Sequence, residues 1–166
     1  MKKLFYFLGI STFLIVSCSK DPVSATPTPA TSTSYVKYKV NGVLQENTPI
    51  LEVLATIDTN GLQLIGIGSE YQITISSKLT QSTGTYDMKN TALKTVLLVS
   101  KGGTGGTSYQ VEKTKTRSSG TLTITKIKDI GNRKFAANGT FSGVAENASG
   151  ETVTITDGEF FDVRTN

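Results

Sequence analysis

Asp157 and Glu159, in the run Thr156-Asp157-Gly158-Glu159-Phe160, come nearest in type and spacing to doing chemistry. Residues i and i+2 of a strand share a face, so unbroken alternation sets the two carboxylates side by side. A glycosidase needs such a pair roughly 5 to 9.5 Å apart, one to protonate the leaving oxygen and one to attack or activate water. Asp157-Gly158 is equally turn or bulge chemistry, which leaves both acids as ordinary solvated groups. Calcium finds hard oxygens here but not the evenly spaced acids of a calcium loop, so no metal and no cofactor is expected.

Most other chemistry lacks its residues. The chain has no histidine and no tryptophan, which excludes histidine-activated nucleophiles and histidine metal ligands and removes the strongest sugar-stacking side chain. Gly102-Gly103-Thr104-Gly105-Gly106 has no following Gly-Lys-Ser/Thr and no helix pattern, so it reads as a loop and not a phosphate cradle. Ser142 sits one position off a nucleophile elbow, with no base to activate it. Lys113, Lys115 and Arg117 alternate onto one face if extended, and Lys126, Lys128, Arg133 and Lys134 cluster near the next turn. They would meet phosphates of a surface polymer or guard exposed sheet edges. Phe160-Phe161 is a different signal: adjacent strand residues face opposite ways, so one ring is exposed or a bulge at Gly158 shifts the phase. An outward ring near Tyr109 or Tyr86 would form a contact patch.

The elements that must carry these residues are strands. From Tyr35 onward, β-branched and aromatic residues alternate with polar ones, punctuated by Gly, Asn and Asp. Val36, Tyr38 and Val40 share a face, and Asn41-Gly42 supplies the left-handed backbone of a two-residue hairpin, as Asn60-Gly61 does again. Leu51 to Ile57, Leu62 to Ile67 and Tyr71 to Ile75 continue the pattern. Gly84 to Tyr86 is a short extended piece, Met88 to Leu93 fits one helical turn, and Thr95 to Val99 and Tyr109 to Lys115 are strands. The tail is the most regular part: Gly120 to Ile127, Phe135 to Ala145 and Thr152 to Val163, burying Leu122, Ile124, Phe135, Ala137, Phe141, Val153 and Ile155. The expected fold is all-β, a mostly antiparallel meander of about 8 to 10 strands closing as a sandwich or flattened barrel.

The first residues carry an address. Met1-Lys2-Lys3 is a basic start, and Leu4 to Val16 is an apolar run too short to span a bilayer, which needs roughly 18 or more residues. It ends in Leu14-Ile15-Val16-Ser17 before Cys18, the only cysteine in the chain. This resembles the lipobox of bacterial lipoproteins, which implies diacylation of Cys18, cleavage before it and acylation of the new terminus. Such an anchor is effectively permanent, because each buried methylene adds about 0.8 kcal/mol. The division expected is a signal peptide at 1–17, Cys18 and a Pro/Thr/Ser linker over 18–34, and a β domain at 35–166. The linker, extended, reaches as much as ~50 Å. Without Lys2 and Lys3 the 17 basic residues fall to 15 against 13 acidic, about +2, so nucleic acid is not suggested as a partner.

The tail also carries a wider resemblance. Gly120-Thr121-Leu122-Thr123-Ile124-Thr125, Asn138-Gly139-Thr140-Phe141-Ser142-Gly143 and Val153-Thr154-Ile155-Thr156-Asp157-Gly158-Glu159-Phe160 resemble an uncharacterised family of small Bacteroidota lipoproteins ending in a Thr-Asp-Gly-x-Phe strand. The resemblance implies an outer-membrane location and no assigned chemistry. Ser19-Lys20-Asp21 looks like the tag that sends such proteins to the cell surface, with the periplasmic face as the alternative. The function expected is a non-enzymatic binding or structural module for a glycan or protein partner, with Phe160, Phe161, Tyr109, Asp157 and Glu159 as binding residues. The alternative is a carboxylate-dependent glycan hydrolase. Oligomeric state is left open.

Overall fold

Alternating apolar residues become antiparallel strands throughout the computed structural model, which describes residues 34–47, 53–58, 61–78, 82–90, 92, 95–102, 105–132 and 134–164. Cys18, the expected signal peptide and the expected linker as far as residue 33 lie outside these residues, while Ser34 is described. The strands are β1 (Tyr35–Val40), β2 (Val43–Asn47), β3 (Val53–Asp58), β4 (Gly61–Ile67), β5 (Tyr71–Ser77), β6 (Gly84–Asp87), β7 (Val96–Lys101), β8 (Thr107–Val111), β9 (Ser119–Gly131), β10 (Lys134–Glu146) and β11 (Thr152–Arg164). All eleven belong to one sheet in one compact unit. The number slightly exceeds the 8 to 10 expected because short pieces such as the four-residue β6 are true ladder members.

The sheet is a nearly closed, flattened barrel. Its main path runs β2-β1-β11-β10-β8-β7-β5-β4-β3. Taken around the barrel this is chain order with β6 and β9 set aside, a meander whose last strand returns to pair with its first. The seam lies between β2 and β3, which share no ladder among the described residues. β3 nevertheless comes back against β10 and β11, and β4 against β2, so the path wraps into two facing layers. β9 and β6 form a side arm: β9 runs along β10 from Lys134 to Val144, and β6 pairs with the outer edge of β9. β8 meets β10 only at Glu146↔Gln110.

The space between the layers is filled. Tyr38, Leu64, Ile73, Ile75, Leu97, Leu122, Ile155 and Phe160 are fully buried, and the tail positions expected in the core are there, with Phe135 packed at its margin. Each fully buried aliphatic side chain contributes about 1.5–3 kcal/mol, so stability rests on this interior and not on cross-links. Tyr38 ties the layers together: its hydroxyl donates to the carbonyl of Tyr71 at 2.6 Å and lies 3.3 Å from that of Gly66. Burial pushes that phenol above its ordinary range. Gly66 is small for a reason, since a Cβ there would sit 3.1 Å from Val36 on the facing layer. Beside the seam, Gln45 lays its Oε1 against the β4–β5 turn, accepting from Ser69 Oγ at 3.3 Å and Glu70 N at 3.1 Å.

The turns follow their chemistry. Asn41 and Gly42 have φ of 49° and 82°, as a tight hairpin between Val40 and Val43 requires. Asp58 pairs with Gly61, so Gly61 belongs to the β3–β4 ladder and not to the turn expected at Asn60-Gly61; Asn60 lies outside the described residues. Two expectations are corrected. Met88 and Lys89 form a turn after β6 with Met88 buried, not the start of a helical turn, because Asp87 Oδ1 accepts from Lys89 N at 2.8 Å. β8 stops at Val111, and Lys113, Lys115 and Arg117 lie in consecutive turns and on no common strand face. Ser118 causes this, its hydroxyl bonding the carbonyls of Glu112 and Lys115 at 3.0 and 2.9 Å. Leu51, Leu93 and Arg133 lie outside the described residues.

Candidate functional site

Two bulges in β11 decide what faces outward. Val153 and Ile155 point inward, Thr156 and Asp157 both point outward, and Gly158 and Phe160 point inward again. Asp157, with φ of 52°, takes the extra position, and the register slips there against both β1 and β10. Asp162, with φ of 47°, repeats the device against β10, so that Val163 returns to the core. Asp and Asn tolerate this left-handed backbone better than other side chains. Gly158 cannot be larger, because a Cβ would lie 2.3 Å from the carbonyl oxygen of Phe141. The Phe160-Phe161 question is thereby answered: Phe160 is 0% exposed and Phe161 38%.

The bulge does not separate the acids: Asp157 and Glu159 stay on one outer face. Glu159 lies in a row that crosses five strands, Thr85–Thr123–Thr140–Glu159–Lys37, each a register partner of the next. A second row beside it runs Asp87–Thr121–Ser142, then the bulge pair Thr156 and Asp157, then Lys39. Strands lie about 4.8 Å apart, so each row is roughly 19 Å long. Between them is an open cleft of about 480 Å³ bordered by Lys37, Thr121, Thr123, Thr140, Asp157 and Glu159.

The charged groups in the rows are held in place. Glu159 accepts from the Tyr35 hydroxyl through Oε1 at 2.7 Å and pairs with Lys37 Nζ through Oε2 at 2.7 Å. Lys39 Nζ meets Asp157 Oδ2 at 2.9 Å. The hydrogen bonds from Lys37 and Tyr35 pull the Glu159 carboxyl below its ordinary range, while donating its proton to Glu159 pushes the Tyr35 phenol up. A general acid needs a raised pKa. Glu159 is shifted the other way and is a fixed hydrogen-bond acceptor. The hydroxyls of Thr85 and Thr123 bond each other at 3.1 Å.

An aromatic ledge borders the rows. Phe161 stacks on Tyr35 with ring centroids 5.6 Å apart and planes at 17°, and Lys37 Nζ sits 5.1 Å from the Tyr35 centroid. The sequence pointed to Tyr109 or Tyr86 as neighbours of an outward phenylalanine. Tyr109 is half-buried on β8, pairing with Val99 at the far end of β10, and the Tyr86 hydroxyl is bonded to Ser82. Of the residues expected to bind, Asp157, Glu159 and Phe161 therefore come together, Phe160 supports them from the core, and Tyr109 stands apart. Lys37, Tyr35 and the threonine rows were missed; the signal for them was Thr at alternate positions in Thr121-Leu122-Thr123 and Thr140-Phe141-Ser142. No protein-family model, no curated protein and no solved structure matches the chain.

Proposed function

We propose that this chain is a lipid-anchored protein of the bacterial outer membrane, held through Cys18 and displayed at the cell surface, whose barrel binds a glycan without turning it over. The glycan assignment rests on one observation, the two polar rows bordered by the Tyr35–Phe161 stack. Threonine and serine hydroxyls donate and accept, held carboxylates accept, and aromatic rings cover the apolar face of a sugar. A protein partner is favoured by apolar, aromatic-centred patches, and the middle of this face is hydroxyl-lined. The anchor rests on the lipobox-like Leu14 to Cys18.

Binding of envelope and dietary polysaccharides to the detergent-solubilised protein tests the ligand. Thr140→Val and Phe161→Ala should each weaken it at least severalfold with the melting temperature unchanged. Release of product from a glycan, abolished by Asp157→Asn or Glu159→Gln, would replace binding with hydrolysis. For the anchor, Cys18→Ala should free the protein from membranes or leave it unprocessed. Protease added to intact cells should remove a surface-displayed domain and spare a periplasmic one.

A further inference from the structure

The register places three features at one end of the barrel. Tyr35 pairs with Phe161, and Ser34 Oγ donates to the carbonyl of Asp162 at 2.6 Å, so the chain joins the barrel beside the end of β11. Ala136 pairs with both Arg164 and Lys128, so the tip of the β9–β10 hairpin lies at that same end. The exposed lysines 126, 128 and 134 are on this hairpin. None of the three forms a salt bridge or side-chain hydrogen bond among the described residues.

The acids at this end are already engaged. Asp162 holds Arg164 at 2.6 Å, and Asp129 Oδ1 accepts from Gly131 N at 2.7 Å within the hairpin turn. Ile130, at the tip, is 39% exposed. The result is a cationic hairpin with an apolar point, located where the tether joins the barrel.

We propose that the β9–β10 hairpin tip docks on the anionic phosphate headgroups of the membrane that holds the anchor. This rests on the reading of Cys18 as acylated, which keeps the barrel within a linker's reach of the bilayer. Lysines near an anionic surface each strengthen association by about fivefold at low salt, and an exposed isoleucine enters the interface readily. Docking at this end stands the barrel upright, with the rows of Glu159 and Asp157 directed sideways into the surrounding polymer.

The chain contains no tryptophan, so Ile130→Trp is a sole reporter. The acylated protein carrying it is reconstituted into vesicles of phosphatidylcholine, with or without phosphatidylglycerol, containing a spin-labelled headgroup lipid. Quenching of the indole should rise severalfold with phosphatidylglycerol, fall with salt, and be lost when Lys126, Lys128 and Lys134 are changed to Gln. Equal quenching in both vesicle types, or quenching indifferent to the lysine changes, overturns the proposal. So does tighter binding of a soluble polyanionic glycan to the same lysines. Failure of the anchor is separately visible as a Cys18 peptide without acyl mass, and co-sedimentation of the free protein with the same vesicles then tests the hairpin.

Discussion

The two ends of the barrel use the same side chains for opposite purposes. At the end where β10 turns into β11, cations fasten loops. Lys89 Nζ donates to the carbonyls of Lys115 and Ser118 at 2.9 and 3.0 Å, Lys115 Nζ to that of Asn147 at 3.1 Å, and Arg117 Nη1 to that of Gly150 at 3.0 Å. Glu146, buried, accepts from the backbone of Arg117 at 2.8 Å. Along the β9–β10 hairpin, Lys126, Lys128 and Lys134 hold no partner among the described residues. A cation that satisfies a carbonyl is part of the fold, and one without a partner is left for contacts outside it.

Removing a latch is the strongest way to break this contrast. Asn147 Oδ1 accepts from Ser149 N and Glu151 N, both at 2.9 Å, and Nδ2 donates to Glu151. Asn147→Ala should cost about 2 kcal/mol, read as a lower urea midpoint with an unchanged slope. Lys89→Met should cost about 1–2 kcal/mol, because two loop carbonyls lose a charged donor.

The face between the ends gives a smaller, pH-dependent effect. Glu159 titrates lower folded than unfolded, so its contacts with Lys37 and Tyr35 add stability that is complete above its ordinary pKa of 4.5. That stability is lost as pH falls through 4.5 and below, and Glu159→Gln should flatten this part of a Tm-against-pH curve. The effect is modest because Lys37 and Glu159 are 39% and 37% exposed. Smallest of all, changing Lys126, Lys128 and Lys134 together to Gln should move stability by less than about 0.5 kcal/mol. A large loss there would mean that the two ends are not different after all.

What could be read in advance was what neighbours in the chain decide. Period-two alternation placed the long tail strands and their buried residues, and Asn41-Gly42 announced its hairpin, because side-chain direction and left-handed backbone are local properties. The Lys37–Glu159–Tyr35 cluster was hidden, since it depends on the register between the first and last strands. The Asp162 bulge was hidden too: no glycine marks it, and aspartate merely tolerates the conformation. Lys113 to Arg117 misled for a related reason. Its alternation is strand-like, and only Ser118, folded back on Glu112 and Lys115, makes it a pair of turns.

The pairing of the first strand with the last also governs how the chain is made. Tyr35 reaches Glu159 across 124 residues, and β11 sits between β1 and β10. Sheets built on such distant pairs fold in roughly milliseconds to seconds, because loop closure must precede any gain from contact. Until β11 has been synthesised, β1 and β10 each keep a bare edge and the barrel cannot shut. A growing chain of this design can pair its neighbouring strands early, as in the β4–β5 and β9–β10 hairpins, but its barrel closes only when β11 arrives.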